Sequence, residues 1–308
     1  MNRSSAPRSI DEYLKQLRIA LEGEDPALIQ DALYDAEEYL RAEVAAHPEK
    51  TEADVLELIA STYGAPEEVA TAYRDTEVKV KAALRTPPPR RPEHSSSWRR
   101  FFSIYLDPRA YTSLFYMLLT LATGILYFTL VVVGISLSAG LAILIIGVPF
   151  FLAFIGITRV LALGEGRLIE AVTGERMPRR PVHPGPAASW WSRIGAMLSD
   201  ARTWTTLLYL VLMLPLGIIY FVIATLGFTA GVHLSLAPVA ALGTAFGWLT
   251  DDYGFPYVHE LWFGGTGIVS LLLCVLGILI LTLTMHLARA IGRGHARLAK
   301  ALLVEPGS

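Results

Sequence analysis

Apolar residues in this 308-residue chain are gathered into long runs rather than spread as short periodic patches. Four runs, approximately 112–134, 140–160, 205–231 and 265–288, reach the ~20 residues that a helix needs to cross a bilayer core. None carries an Asp, Glu or Lys near its centre. The first two are separated only by residues 135–139, which predicts a tight helical hairpin. A fifth apolar stretch, 234–249, is short and contains Pro238; it reads as a re-entrant or interfacial segment.

The first 77 residues follow a different pattern, with short amphipathic helices and clear punctuation. Ser9 with Glu12 forms a capping box before Tyr13, Leu14 and Leu17. Asp25-Pro26 opens a helix whose apolar face holds Leu28, Ile29, Leu33, Ala36, Leu40 and Val44. Thr51 with Asp54 starts a third helix bearing Val55, Leu58 and Ile59. Gly64 ends it, and Pro66 starts a fourth with Val69 and Tyr73. The expected fold is all-α: a small helical domain at 1–85, a Pro/Ser-rich linker at 86–97 that lets it move, a four-helix transmembrane domain at 98–300 and a tail at 301–308.

The transmembrane part repeats itself. Trp98, Arg100, Asp107, Arg109, Thr112, Tyr116, Gly124, Tyr127 and Gly134 recur at one constant offset as Trp191, Arg193, Asp200, Arg202, Thr205, Tyr209, Gly217, Tyr220 and Gly227. Each copy predicts an approach segment, an Asp at a helix start and a spanning helix, so the domain reads as two helical-hairpin repeats. The second spans align more faintly, through Ala162-Leu-Gly-Glu-Gly166 and Ala290-Ile-Gly-Arg-Gly294. Gly227 and Gly231 form a small-xxx-small pair for close helix packing.

Charge changes this picture in two ways. Residues 8–77 hold 18 Asp/Glu against 6 Lys/Arg and the remainder 10 against 20, so a net charge of −2 hides an acidic head on a basic membrane body. Arg and Lys also flank the runs on one side only. Arg90, Arg91, Arg99 and Arg100 precede the first; Arg159, Arg167, Arg176, Arg179, Arg180, Arg193 and Arg202 fill the central linker; Arg289, Arg293, Arg297 and Lys300 follow the last. The positive-inside rule then puts both termini and that linker in the cytoplasm of a multi-pass plasma-membrane protein. The acidic residues Asp35, Glu37, Glu38 and Glu43 read as a solvated face or as a dock for a basic partner.

Candidate chemistry is sparse. Asp251, Asp252, His259 and Glu260 cluster with Trp248 and Trp262 in a loop that only the second repeat carries, the expected cue-contacting surface; their spacing matches no metal template. Trp98 and Arg100, then Trp190, Trp191 and Arg193, lie on amphipathic approach segments and read as interfacial anchors to the lipid bilayer. His286 reads as a hydrogen-bonding group between helices. Cys274 is the single cysteine, which rules out an intramolecular disulfide and a CxxC pair. The N-terminal residues lack the apolar core of a secretory signal. No catalytic constellation, cofactor motif or nucleic-acid surface is present, so an enzyme is not expected.

Two resemblances refine this reading. Tyr13-Leu-Lys-Gln-Leu-Arg18, Tyr34-Asp-Ala-Glu-Glu-Tyr-Leu-Arg41 and Tyr63-Gly-Ala-Pro-Glu-Glu-Val-Ala70 resemble the HAAS-type domain, a helical signalling-associated module of bacterial membrane proteins often encoded beside PadR-type regulators. Leu106-Asp-Pro-Arg109, Gly124-Ile-Leu-Tyr-Phe128, Gly147-Val-Pro149 and the stretch 159–166 resemble the "putative sensor" domain that precedes actinobacterial histidine kinases. No kinase catalytic region follows residue 300 in this sequence. These resemblances imply an inner-membrane signalling protein that relays an envelope or membrane cue through its head to a PadR-type regulator or a kinase, with self-association into a homo-oligomer a further expectation. The rival expectation is an accessory subunit of an exporter, or a small permease.

Overall fold

The computed structural model describes residues 7–84, 97–141, 147–180, 195, 198–245 and 267–304, and no strand occurs among them. Four helices form the head: α1 (Ile10–Ala20), α2 (Pro26–Ala46), α3 (Glu52–Thr62) and α4 (Pro66–Leu84). A short helix α5 (Ser97–Phe102) and a 3₁₀ turn (Ser103–Leu106) lead into α6 (Pro108–Leu141). Then come α7 (Gly147–Thr173), α8 (Ala201–Ser235), α9 (Ala237–Ala245) and α10 (Gly267–Leu303).

The head forms where its punctuation says it should. Ser9 accepts from the Glu12 amide at 3.2 Å, Asp25 from the Ala27 amide at 2.9 Å, and Thr51 and Asp54 bond reciprocally. The first box is only half made, because the Glu12 carboxylate accepts from the Arg8 amide at 2.9 Å. Gly64 ends α3 at φ 106°, a conformation that costs glycine little. Tyr13, Leu17, Leu21, Ala36, Leu40, Val55, Leu56 and Ile59 make one buried core. Leu58, expected on that face, is 47% exposed, and Leu56 fills the place instead; a helix presents 55, 56 and 59 to one side and turns 58 away. The Tyr13 hydroxyl donates to the Gly64 carbonyl at 2.8 Å, and burial pushes its pKa well up, so it stays a donor.

Helices α6, α7, α8 and α10 are long and apolar enough to cross a membrane. Only 22–39% of the most apolar window of each is buried within the chain. Large side chains such as Phe115, Leu226 and Val275 face outward, so these helices need an apolar surround. Two boundaries differ from expectation. Residues 135–139 continue α6 to Leu141 rather than turning, since Ile-Ser-Leu-Ser-Ala contains neither Gly nor Pro to stop a helix. Residues 234 and 235 belong to α8, which runs past its expected end at 231, and 237–245 form α9, whose nine residues are too short to span; 246–249 lie outside the described residues.

The chain divides into two compact units, one of 1–91, 135–209 and 297–308, the other of 92–134 and 210–296. In the second, α6 and α8 cross in backbone contact. A Cβ on Gly124 would lie 2.6 Å from the Met213 carbonyl oxygen, and one on Gly217 would lie 2.6 Å from that of Thr120. Thr120 and Met213, like Gly124 and Gly217, are 93 positions apart, so the contact is reciprocal. Gly227 and Gly231 pack on Thr284 and Leu281 of α10, and Gly277 of α10 packs on the backbone around Gly231 and Leu234.

The starts of α6 and α8 carry the same hydrogen bonds at that offset. Asp107 and Asp200 each accept the amide two residues on, at 3.0 Å, from Arg109 and Arg202. The Tyr111 hydroxyl donates to the Tyr105 carbonyl at 3.0 Å, and Trp204 Nε1 to that of Leu198 at 2.9 Å. Thr112 and Thr205 each donate to the carbonyl three residues back, at 3.2 Å. Burial along α7 and α10 coincides when 159 is set against 289, two positions away from the offset of the Gly-x-Gly pairs. In this register the buried positions Ile155, Thr158, Glu165, Gly166 and Ile169 match the buried Met285, Ala288, His295, Ala296 and Ala299. A shift of two residues turns a helix by roughly 200°, so the two offsets set different faces against each other.

Candidate functional site: an acidic head holding a basic loop

The first unit brings the head together with the segment leaving α7. Gly174, at φ 73°, ends α7, its amide bonded to the Glu170 carbonyl at 2.8 Å, and Pro178 blocks any return to helix. Residues 174–180 therefore run without regular structure, and their main-chain polar groups need partners elsewhere.

Those partners are on α2 and α4. Asp31 Oδ1 accepts the Arg179 and Arg180 amides at 2.8 and 3.0 Å, while Oδ2 accepts from Arg176 at 3.0 Å. Arg176 also pairs with Glu77 of α4. Arg180 pairs with Asp35 at 2.9 Å, with its guanidinium 5.7 Å above the Tyr34 ring. The Gln30 amide donates to the Arg180 carbonyl at 2.8 Å. Met177, fully buried, packs over Gly166 of α7. Gln30, Asp31, Tyr34 and Asp35 form one stripe of α2, and the loop lies along it.

Burial decides which of these contacts matters. The Arg176, Asp31 and Glu77 side chains are 11%, 7% and 9% exposed, against 52% and 33% for Arg180 and Asp35. Exposed pairs contribute about 0–1 kcal/mol. Removing one member of a buried set leaves an uncompensated charge at a cost of about 3–5 kcal/mol. Burial raises the Asp31 pKa above the ordinary carboxylate value, opposed by the two backbone amides and then by Arg176. The head is thus locked by one buried carboxylate with three donors.

Two further helices of the unit reach the same α2. Arg202, at the start of α8, donates to Gln30 Oε1 at 2.9 Å and to the Leu303 carbonyl at 3.0 Å. Lys300 of α10 pairs with Asp25 at 2.6 Å. A half-open cleft of about 80 Å³ lies here, lined by Gln30, Met177, Arg159, Asp200, Arg202 and Thr203. Asp200 holds Arg159 of α7 at 3.5 Å. In the other unit the equivalent Asp107 holds Arg289 of α10 at 2.6 Å, Tyr105 bonds Thr282 at 2.9 Å, and His286 Nε2 lies 3.0 Å from the Phe101 carbonyl. This arrangement couples helix ends to a domain.

Most of the residues singled out from the sequence lie elsewhere. Trp248, Asp251, Asp252, His259, Glu260 and Trp262 fall outside the described residues, as do Trp190, Trp191 and Arg193. Trp98 is 68% exposed on α5, the helix that also carries Arg100. Among the described residues no His, Cys, Asp and Glu group is arranged for a metal. Asp31, Gln30 and Glu77 were not foreseen, and their signal was faint: two polar residues beside Ala27, Leu28 and Ala32 on an otherwise apolar turn of α2. The acidic surplus of the head read as a solvated face or as a dock for a basic partner; Asp25, Asp31, Asp35 and Glu77 pair with Lys300, Arg176 and Arg180 of this chain. Glu37 instead pairs with Arg41 within α2, and Glu43 lies 3.8 Å from His47, the residue that caps the helix.

Four long apolar helices joined to a small helical head define a polytopic membrane protein. The chain belongs to the family described as "Putative sensor", whose model matches residues 116–303, from the first turns of α6 to the end of α10. The match begins beyond the head. No curated protein and no solved structure matches the chain.

Proposed function

We propose that this protein is a bacterial plasma-membrane sensor with both termini in the cytoplasm, and that it signals by changing how residues 174–180 are held on the head. The observation that carries the reading is the lock on Asp31. The segment leaving one spanning helix is bonded to the head through its main chain, so a shift or rotation of α7 must either carry the head along or break the lock. Arg202 and Lys300 tie two more spanning helices to the same α2. A cue reaching the helices through the bilayer, or through the loop at 246–266, thereby changes exposure of the head. The HAAS-type resemblance makes the head the output module, with a PadR-type regulator or a kinase as its reader and no catalytic step in the chain itself.

Charge reversal tests the relay. Arg176→Glu sets a third carboxylate against Asp31 and Glu77 and should fix the released state, making transcription of the adjacent genes insensitive to envelope stress. Pairing it with Asp31→Arg should restore part of the response. An unchanged response in Arg176→Glu, with the protein still inserted in the membrane, would refute the relay.

A further inference from the structure

The contacts on 174–180 are those of a peptide-binding groove. Asp31 Oδ1 reads two consecutive main-chain amides, which a peptide turns to one side only where its backbone bends, as it does at Arg180. Asp31 with Glu77 forms a buried acidic pocket that takes one guanidinium. Asp35 and the Tyr34 ring form a second, more open one for the guanidinium of Arg180. Gln30 takes the carbonyl of that same residue. Recognition of this kind, through main-chain bonds and spaced guanidinium pockets, depends on the segment's chemistry and not on its belonging to the same chain.

We propose that the α2–α4 face of the head is a docking groove for an arginine-bearing, non-helical segment of a partner protein that bends over Asp31, with Arg at the first and fifth of five positions, and that residues 176–180 occupy it in cis. Charge complementarity carries the choice of occupant: the groove's pockets are carboxylates, and the peptide now in it fills them with Arg176 and Arg180, while the Arg179 side chain turns to Glu170 of α7 at 2.7 Å. The cis peptide also fits imperfectly. Arg176 Nε is buried without a hydrogen-bond partner, although both Nη atoms are paired. Such a buried donor weakens the cis complex. A segment entering from another protein, whose position is not set by attachment to α7, is able to satisfy that nitrogen and displace the cis one. The groove gives the relay above its output, and that is the only point at which the inference rests on the relay.

The test uses the full chain in nanodiscs and a fluorescent peptide of sequence TGERMPRRPV, copied from residues 173–182. In an opened variant, Arg176→Ala with Arg179→Ala and Arg180→Ala, the peptide should bind at least ten-fold more tightly than to the unaltered chain, where the cis segment competes. Adding Asp31→Ala and Glu77→Ala to the opened variant should abolish binding, and a Lys-for-Arg peptide should bind at least five-fold more weakly. A separate opening, with 175–180 replaced by Gly and Ser, should give the same affinity and guards against misfolding of the first. Equal binding to opened and unaltered chains, no binding to either opening, or indifference to Asp31 and Glu77 would overturn the proposal. Crosslinks from a cysteine at position 35 to one at position 180 of a different chain would assign the groove to a second copy, and would also overturn it. None of these readouts depends on signalling, so the groove and the relay fail separately.

Discussion

Four glycine-to-alanine substitutions should split by sign. Gly124 and Gly217 lie where α6 and α8 touch, and an added methyl would come within 2.6 Å of a main-chain carbonyl oxygen on the opposite helix. Ordinary contact begins at 3.4 Å, so the helices must part there by about 0.8 Å. Backbone cannot swing aside as a side-chain tip does. A gap of 0.5–1 Å forfeits roughly a quarter to a half of each neighbouring dispersion contact, and overpacking costs about 1–3 kcal/mol. The helix preference for alanine offsets about 1 kcal/mol of that. Gly164 and Gly294, equivalent positions of α7 and α10, have nothing within 4 Å of the new methyl, so only the propensity gain of about 0.5–1 kcal/mol remains. In detergent-solubilised protein, Gly124→Ala and Gly217→Ala should lower the melting temperature by similar amounts, while Gly164→Ala and Gly294→Ala leave it unchanged or raise it. Tolerance of alanine at 124 and 217 equal to that at 164 and 294 would refute backbone contact at the crossing.

Within the head, Leu40→Ala empties a fully buried site and should cost about 2–5 kcal/mol, whereas Leu58→Ala should stay within about 0.5 kcal/mol; urea denaturation followed by far-ultraviolet circular dichroism separates them. With Cys274→Ala as background, cysteines at 95, 192, 252 and 308 test the topology: only 252 should react with an impermeant external reagent, and labelling at 308 would contradict cytoplasmic termini. The raised Asp31 pKa carries a pH signature. The folded unit binds that proton more tightly than the unfolded chain, so the residue's contribution is full below the unfolded pKa and is lost as pH rises through the folded one. The stability difference between Asp31→Asn and the unaltered chain should therefore vary with pH from the carboxylate range upward and flatten once Asp31 is fully ionised; a difference independent of pH would contradict the shift.

Some of this architecture was legible because it depends on short-range rules. The four spans follow from run length, and the head helices follow from Ser9, Asp25, Thr51, Gly64 and Pro66, each a local stop or start. Where a rule compares distant residues, the sequence says less. The Gly-x-Gly pairs after the second spans offered an offset two residues from the one at which burial coincides, because glycine matches ignore which face is covered. Leu58 was misplaced for a related reason: helical spacing allows 55, 58 and 59 as a face, and only packing against α2 selects 56 over 58. The lock on Asp31 was the least legible. A carboxylate on α2 looks the same in sequence whether it meets water or three donors from a loop 145 or more positions away.

The amides of Arg179 and Arg180 offer the most direct measurement. They lie in a segment without regular structure, and Asp31 is their acceptor. In a free loop such amides exchange with solvent at the rate of an unstructured peptide. Breaking a buried lock of about 3 kcal/mol or more implies protection of roughly a hundred-fold or greater. Hydrogen exchange of residues 174–180, read by mass spectrometry on the full chain in nanodiscs, should show that protection, and Asp31→Ala should abolish it while α2 and α7 stay protected. Exchange of 174–180 at the free-peptide rate in the unaltered chain would mean that the head is not held by this loop, and would contradict both the lock and the relay built on it.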